Sequence, residues 1–466
     1  MNDCLFFGEN DKPKLIKNKP NKIKKPIQFK FEFENQNENE KQIKQISTGE
    51  YPTIFIFKNG KAIEYLRYSD PNPQKIQIEN IQKVTVGDHN VAILTKEGNV
   101  FAKGNYIPLD NYNKFADISS LIEDKNDRMI KDIVSGESSI YLLTSNQNVY
   151  GIGSNYNGQL GLDSETLEKA EKPILMMKNV SKIFSGNSSK RVFLLNSNQE
   201  LFGCGDNENG QLGLGYSREE ETKIDKLTKI QNIPKGKIID IKSGTFHSVI
   251  KLYSCGYYGF NGLGKYVDSY EFTEIKSSLF ENDENIVDFS VGYAHSLILT
   301  SKGKLIGFGS NEYGELGTGD KKEYGLNLIQ IKLPKLRFKE EIYNYHISCG
   351  YEKSFIYYSP SLSSFSNLEE DLIKLFGRKE FCDISFKTEN EEVIEAHKLI
   401  LKYRLNQNQN EIENEIEKLQ EIISNKSIKE SNQIFEMIYS NNSNINPKLY
   451  LEIKEFINLN EKLKKQ

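Results

Sequence analysis

Three segments of the 466-residue chain repeat one pattern closely enough to decide the fold. They are residues 132–162, 183–214 and 288–318. Each starts with an apolar residue shortly before a glycine, and each ends in G-x-G-x-N-x-x-G-x-L-G. Between these ends lie two runs of Val, Ile, Leu, Phe and Tyr, separated by hairpin-turn sequences such as "SKGK". The pattern predicts an antiparallel β unit whose glycines occupy tight corners where backbones approach closely.

The first glycine of each repeat, which we call the lead glycine, recurs along most of the chain. The lead glycines are 38 to 58 residues apart, at Gly49, Gly87, Gly136, Gly186, Gly244, Gly292 and Gly350. That spacing matches the blades of a β-propeller and is too long for short-repeat solenoids. A single unit cannot cover its own apolar face, so neighbouring units must stack. The predicted fold class is an all-β seven-bladed β-propeller.

The two ends of the repeat region complement each other. After Gly350 a strand follows, KSFIYYS, but no glycine-rich second half. The missing half is found at the start of the chain, where Gly8 and Asn10 of CLFFGEN match Gly309 and Asn311. We therefore expect the N-terminal strand, residues 4–10, to complete the last blade and leave no open sheet edge.

These motifs resemble the regulator-of-chromosome-condensation repeat family, whose fold is a seven-bladed propeller. The resemblance covers residues 1–360 and is closest in blades three, four and six. Blades one and two lack most of the glycine-rich half, and blade five has a shortened central hairpin. The residues on the repeat pattern are Gly136, Gly153, Asn155, Gly158, Gly161, Gly186, Gly205, Asn207, Gly210, Gly213, Gly244, His247, Gly292, His295, Gly309, Asn311, Gly314 and Gly317.

The periodicity stops after the propeller, and the serine-rich stretch 361–366 reads as a linker. Residues 367–441 resemble a BTB/POZ domain, through a helix, two strands around "TEN" and a helix that begins near Ala396. The residues on that pattern are Asp383, His397, Lys398, Leu401 and Arg404. The second half departs from the family, so the domain is diverged or incomplete, with amphipathic helices and a C-terminal helix at 442–466. The predicted class of this small region is α+β.

No residues stand out as catalytic. His89, His247 and His295 lie at or near one blade position, where Pro52, Ser139 and Lys353 stand in other blades, so we expect them to hold the turn by hydrogen bonds. Cys204 and Cys255 occupy a strand position and should be buried filler. The glycine-rich segments lack the lysine and Ser/Thr of a phosphate loop. We expect neither an enzyme nor a cofactor or metal site.

Charge and composition limit the partners. The net charge is −4 and the pI is about 6.0, which argues against nucleic acid. The lysine-rich run 12–26 falls where we expect a connection between blades. No apolar run approaches the length of a membrane span, and the five cysteines form no C-x-x-C pair. These features predict a cytoplasmic protein, with the nucleus as an additional location.

Two functions remain open. The first is a protein-interaction scaffold in which the propeller binds one protein and the BTB-like tail recruits another. The family resemblance then implies a substrate adaptor of a cullin-based ubiquitin ligase, with dimerisation through the tail. The alternative is a guanine nucleotide exchange factor for a small GTPase such as Ran. The segments expected to carry contacts are 106–130, 216–237 and 265–285.

Overall fold

The computed structural model describes residues 4–359, apart from gaps at 12–14, 17–18, 30–41, 66–72, 106–113, 216–221, 235–237, 239, 282–283, 323 and 335–338. It also describes residues 384–387, 393–396 and Gln420. The chain divides into two compact units, Met1–Pro360 and Ser361–Gln466.

The first unit consists of seven four-stranded antiparallel sheets, the blades of the propeller. The chain begins with β1 (Cys4–Glu9) and β2 (Lys22–Gln28). Blade one contains β3 (Ile43–Thr48), β4 (Thr53–Phe57), β5 (Ala62–Tyr65) and β6 (Gln74–Ile76). Blade two contains β7 (Ile81–Val86), β8 (Asn90–Thr95), β9 (Val100–Gly104) and β10 (Ala116–Asp117). Blade three contains β11 (Ile130–Ser135), β12 (Ser139–Thr144), β13 (Val149–Ser154) and β14 (Lys169–Met177).

The remaining blades continue in the same order. Blade four contains β15 (Val180–Phe184), β16 (Arg191–Asn196), β17 (Leu201–Asp206) and β18 (Lys223–Lys229). Blade five contains β19 (Lys242–Ser243), β20 (His247–Ile250), β21 (Tyr253–Gly256) and β22 (Ser269–Glu274). Blade six contains β23 (Ile286–Val291), β24 (His295–Thr300), β25 (Leu305–Gly309) and β26 (Ile329–Ile331). Blade seven adds β27 (Tyr345–Cys349) and β28 (Lys353–Tyr358). Short 3-10 helices lie at Ser119–Leu121, Lys125–Asp127 and Lys339–Asn344.

Blade seven is completed by the start of the chain, as the sequence predicts. Its strand order is β2-β1-β28-β27, and β1 pairs with β28 in the register Cys4↔Tyr357 and Gly8↔Lys353. The lysine-rich run differs from the expectation, because its end forms the outer strand β2 rather than a connection between blades.

Aromatic side chains fasten the seam between blade seven and blade one. Phe55 of blade one lies with its ring centroid 5.6 Å from that of Phe355 and 5.2 Å from that of Phe29. Phe6 of the N-terminal strand packs 4.9 Å from Phe355. All four rings are buried, and pairs of this kind contribute about 0.5–1.5 kcal/mol each beyond their burial. The N-terminal strand is therefore fixed by side-chain packing as well as by its ladder.

Two of the segments expected to carry contacts contain the outer strand of a blade. Lys223–Lys229 and Ser269–Glu274 form β18 and β22, so the segments 216–237 and 265–285 each contain the fourth strand of a blade. These strands are half-exposed, and their apolar alternation is correspondingly weak. Blade five has the short central hairpin that the sequence predicts, with strands of four residues on either side of Lys251–Leu252.

The second unit shows one described hairpin. β29 (Ile384–Lys387) pairs antiparallel with β30 (Val393–Ala396), in the register Ile384↔Ala396. These are the two strands predicted around "TEN". Asp383, His397, Lys398, Leu401 and Arg404 lie outside the described residues, as do the predicted C-terminal helices, except for Gln420. In the part of the chain that the structure describes, no helix is both long and apolar enough to cross a membrane.

Candidate interaction face of the propeller

One face of the propeller gathers most of the residues that the repeats single out. In a four-stranded antiparallel blade, the turn between the first two strands and the connection after the third strand emerge at the same end. The first-to-second-strand turns therefore lie on one side of the ring with the glycine-rich segments such as 153–161. We call this side the turn face.

The lead glycines lie where neighbouring blades approach most closely. A Cβ atom on Gly87 would lie 2.0 Å from the carbonyl oxygen of Gly136 in the next blade, and one on Gly244 would lie 2.1 Å from that of Gly292. Only a residue without a side chain fits at these positions. The lead glycines therefore set the distance between blades around the ring.

A second set of glycines occupies the third strand, opposite the first residue of the second strand. Gly309 has φ +97°, and a Cβ there would lie 2.3 Å from the carbonyl oxygen of Ala294. Gly8 repeats the geometry in the closing blade, with φ +105° and 2.5 Å to the carbonyl oxygen of Glu352. The same contact occurs at Gly104, Gly153, Gly205 and Gly256. The match of Gly8 to Gly309 holds in conformation as well as in sequence.

The asparagine of each glycine-rich segment closes a turn from within. Its buried side-chain oxygen accepts the backbone N–H five residues on, at 2.8 to 3.0 Å in the pairs Asn155–Leu160, Asn207–Leu212 and Asn311–Leu316. The following glycines pack on the next blade, since a Cβ on Gly158 would lie 2.3 Å from Asp225 and one on Gly317 3.0 Å from Phe7. Gly161, Gly210, Gly213 and Gly314 make equivalent contacts. These segments join blades to one another.

His247 and His295, both fully buried, link blades, which differs from the predicted role of holding the turn. His247 Nε2 lies 2.6 Å from the Ser296 hydroxyl, and His295 Nε2 lies 2.9 Å from the Ser354 hydroxyl, each in the following blade. The turns themselves are closed by backbone bonds, such as Gly244 N–H to the His247 carbonyl. Burial lowers the pKa of both imidazoles to about 3, so both are neutral near pH 7.

His89 stands apart from that pair. Asn90 occupies the equivalent strand position and donates to the Gly136 carbonyl of the next blade at 3.1 Å. His89 is half-buried on the turn face, with its ring 6.1 Å from that of Tyr51. The structure thus brings His247 and His295 to one blade position and leaves His89 one residue away.

Arg191 takes the same blade position in blade four, although the repeat pattern does not indicate it. Its side chain is fully buried and donates to the carbonyls of Gly244 and Thr245, both at 2.7 Å, and to Asp206 Oδ2 at 3.1 Å. The turn from Gly186 to Arg191 has two more residues than the turn from Gly292 to His295, so Arg191 does not align with His295 when the repeats are compared without a gap. Allowing for the longer turn would have placed Arg191 at this position.

The longer turn of blade four crosses the centre of the ring. Asn187 donates to the carbonyl of Cys349 in blade seven at 3.0 Å and to that of Thr48 in blade one. Ser188 donates to Asp88 of blade two at 3.0 Å. We call residues 187–189 the central plug. Its contacts with opposite blades make the turn face one cross-linked surface.

Buried polar and sulfur groups near this face serve the packing. Asp88 is almost fully buried, and burial raises the pKa of its carboxyl well above the ordinary value, although Ser188 and the Glu50 N–H bond to it. Cys204 and Cys255 are buried, as expected, and burial raises the pKa of both thiols. Across the described ranges, no three His, Cys, Asp or Glu side chains are placed to hold a metal ion.

The geometry defines the class of protein: a closed seven-bladed propeller whose repeat motif residues are used to join blades. Models of the regulator of chromosome condensation (RCC1) repeat match residues 198–250 and 286–315, and the BTB/POZ domain model matches residues 372–466. The chain carries RCC1 repeats that form a seven-bladed propeller, followed by a C-terminal BTB/POZ domain.

Several known proteins are similar to parts of this chain. The serine/threonine-protein kinase Nek9 of Xenopus laevis is 25% identical over 262 residues, which cover 55% of this chain and 24% of the kinase. The human E3 ubiquitin-protein ligase HERC2 is 27% identical over 251 residues, which cover 51% of this chain and 5% of the ligase. The chain therefore corresponds to only a part of these relatives. The crystal structure of Prp20p from Saccharomyces cerevisiae matches with a TM-score of 0.65 at 17% identity, covering 80% of this chain and 95% of that one.

The structural likeness shows the fold. An RCC1 propeller together with a BTB/POZ domain fits a protein-interaction scaffold with protein partners.

Proposed function

We propose that this protein is a non-enzymatic scaffold whose propeller binds one protein while the BTB/POZ domain recruits a second. The observation that carries the proposal is the cross-linked turn face. The central plug and the side chains at the blade position of His247 tie opposite and adjacent blades together. A surface fixed in this way holds binding residues without a cost for ordering them when a partner arrives. The outer loops can vary while the blades stay constant.

Within this function, we propose that the protein delivers a substrate to a cullin-based ubiquitin ligase. The propeller would hold the substrate and the BTB/POZ domain would hold the cullin. The family match of residues 372–466 supports the second half of the proposal. The name of HERC2, an E3 ubiquitin-protein ligase, supports a link between such propellers and ubiquitin transfer.

Affinity purification of two forms of the protein tests this proposal. The full chain should recover a cullin and at least one further protein, and a chain that ends at Pro360 should lose the cullin and keep the other partner. The boundary follows the division into two compact units. Leu175→Ala is the matched control, because Leu175 is 39% exposed on β14 and should leave both partners bound. Retention of every partner by the shortened chain would refute the adaptor role.

A second proposal is nucleotide exchange on a small GTPase. It is supported by the likeness to Prp20p, whose structure was reported with its binding to Gsp1p and histones. Exchange requires only tighter binding of the nucleotide-free GTPase, without covalent chemistry. The test is a pull-down with nucleotide-free Ran-type GTPase, which should be released by GTP. Failure to bind any nucleotide-free small GTPase would eliminate this function.

We also propose that the protein works in the cytoplasm, with access to the nucleus. Three buried thiols outside any disulfide, those of Cys204, Cys255 and Cys349, support a reducing compartment. Fractionation of cells that express the tagged full chain tests the location, and recovery in a secreted or membrane fraction would contradict it.

A further inference from the structure

A continuous strip of aromatic side chains crosses the turn face from blade seven to blade five. Its successive ring centroids are 4.3 Å apart for Tyr351–Tyr293, 5.2 Å for Tyr293–Phe246 and 6.1 Å for Phe246–Tyr257. The strip continues over 4.6 Å from Tyr257 to Tyr258 and over 6.3 Å from Tyr258 to Tyr266. We call these six residues the aromatic strip.

The aromatic strip lies at the surface rather than in the core. Its first five rings are half-buried, whereas Tyr266 is 81% exposed and its neighbour Val267 is 67% exposed. Each ring therefore shows part of its area to solvent while its neighbours hold it in place. Contiguous exposed aromatic area of this kind is typical of binding surfaces.

The blade fold does not require aromatic residues at these positions. Tyr293 and Tyr351 directly follow their lead glycines, and the same position in blades one, two and three holds Glu50, Asp88 and Glu137. At this position the turn face carries tyrosines in blades six and seven and acidic residues in blades one to three, of which Glu50 and Glu137 are partly exposed and Asp88 is buried. The difference lies in the side chains, since these turns share the same backbone bond from lead glycine to strand.

Carboxylates lie close to the aromatic strip. Glu352 directly follows Tyr351 in the chain, and Glu50 holds the equivalent place after the lead glycine of blade one. Burial is the largest cause of the raised pKa of the Tyr351 hydroxyl, followed by Tyr293, Glu352 and Glu50. Two lysines in this region are buried beside these acidic residues or paired with one of them. Lys353 is fully buried with its ammonium 2.8 Å from the Glu50 carbonyl, and Lys190 lies 3.6 Å from Glu137.

A tyrosine pair beside carboxylates has the chemistry to recognise a guanidinium. The planar cation stacks on an aromatic face and pairs with a carboxylate at its edge. A lysine ammonium lacks the flat surface and the bidentate geometry, and a nucleic-acid backbone would be repelled by the carboxylates. The arrangement therefore favours an arginine-bearing protein segment.

We propose that the aromatic strip and the adjacent carboxylates bind an arginine-containing segment of the protein partner, with an arginine stacked on Tyr293 and Tyr351. This inference rests on the scaffold function proposed above and adds the chemistry of the partner. The remaining rings, towards the exposed Tyr266, would contact apolar side chains of the same segment.

The probe is a short fluorescent peptide with several arginines in a Gly/Ser background, compared with a matched peptide in which glutamine replaces every arginine. Fluorescence anisotropy with the full chain should show the arginine peptide binding at least about tenfold more tightly. The double variant Tyr293→Leu, Tyr351→Leu keeps apolar bulk and should lose about tenfold in affinity for the arginine peptide. Glu352→Gln should lose about threefold, and more at low salt than at high salt.

Tyr156→Leu is the matched control, because Tyr156 is 50% exposed on the turn face in blade three, away from the aromatic strip. It should bind like the wild type and keep the wild-type unfolding midpoint. Glu352→Gln supplies a second, isosteric test if the double tyrosine variant is destabilised.

Equal binding of the two peptides, equal losses for Tyr156→Leu and the double variant, or tighter binding of duplex DNA than of the arginine peptide would overturn the inference. If the wild type recovers protein partners but binds neither peptide, this inference fails while the scaffold function stands. If the full chain recovers no protein partner at all, the scaffold function itself fails.

Discussion

Replacement of Gly309 by alanine should destabilise the propeller severely, because two independent costs coincide at this position. The residue has φ +97°, a conformation that residues with a side chain rarely adopt. A Cβ would also lie 2.3 Å from the Ala294 carbonyl oxygen and 2.9 Å from the His295 Cα. These are backbone atoms of the adjoining strand, so they cannot rotate away as the tip of a flexible side chain could.

The two costs can be given magnitudes. The left-handed conformation costs a non-glycine residue about 1–2 kcal/mol. Overpacking that forces a backbone shift adds about 1–3 kcal/mol. The free energy of unfolding should therefore fall by about 2–5 kcal/mol, a large fraction of the stability of an ordinary domain.

Gly264 supplies a control that carries only the first cost. It has φ +70°, but nothing lies within 4 Å of the Cβ that alanine would introduce. Gly264→Ala should therefore cost about 1–2 kcal/mol. Since the chain contains no tryptophan, differential scanning calorimetry and tyrosine circular dichroism of the full chain are suitable measurements. Equal losses for the two variants would refute the steric argument, as would a loss below about 1 kcal/mol for Gly309→Ala.

Three further predictions concern the groups that join the blades. His247 and His295 have pKa values of about 3 in the folded protein and about 6.5 in the unfolded chain. The free energy of unfolding should therefore be highest above pH 6.5 and should decrease as the pH falls from 6.5 towards 3. Each histidine should contribute a slope of about 1.4 kcal/mol per pH unit, and urea titrations of His295→Gln between pH 7 and pH 5 should show a reduced slope; an unchanged slope would contradict the assignment. Asn187→Ala removes the side-chain amide that donates to the buried carbonyls of Thr48 and Cys349. The free energy of unfolding in urea should fall by about 2–4 kcal/mol, and a fall of less than about 1 kcal/mol would mean that the central plug contributes little to stability. Arg191→Lys should cost about 2–4 kcal/mol, because an ammonium cannot reach two carbonyls and a carboxylate together, and a wild-type melting temperature would show that it can.

The overall fold could be predicted from the sequence because each blade repeats the same backbone constraint. Gly8 and Gly309 lie in similar stretches of sequence, and both have positive φ and the same contact with a backbone carbonyl. Such glycines are visible in a sequence, since no other residue fits. The outer strands β18 and β22 were less visible, because their half-exposed positions accept polar residues and blur the alternation.

The polar network of the turn face could be predicted only in part. His247 and His295 are both histidines at the same distance from their lead glycines. Their hydrogen-bond partners are serines in the next blade, which no local sequence pattern reveals. Arg191 replaces a histidine by a chemically different residue after a longer turn, so similarity alone could not place it. Asn187 reaches across the ring, and contacts of that kind depend on the diameter of the closed propeller rather than on neighbouring residues.

The pairing of β1 with β28 has a consequence for the order of folding. Cys4 pairs with Tyr357, which is synthesised only after all the intervening blades. The N-terminal strand must wait without its partner during that time, and such distant pairings are slow to form. Blade seven should therefore be the last to assemble, and its closure converts a row of stacked sheets into a ring. A chain interrupted before residue 353 would leave the first strand without the partner β28, and its open edge would be available for pairing with other chains.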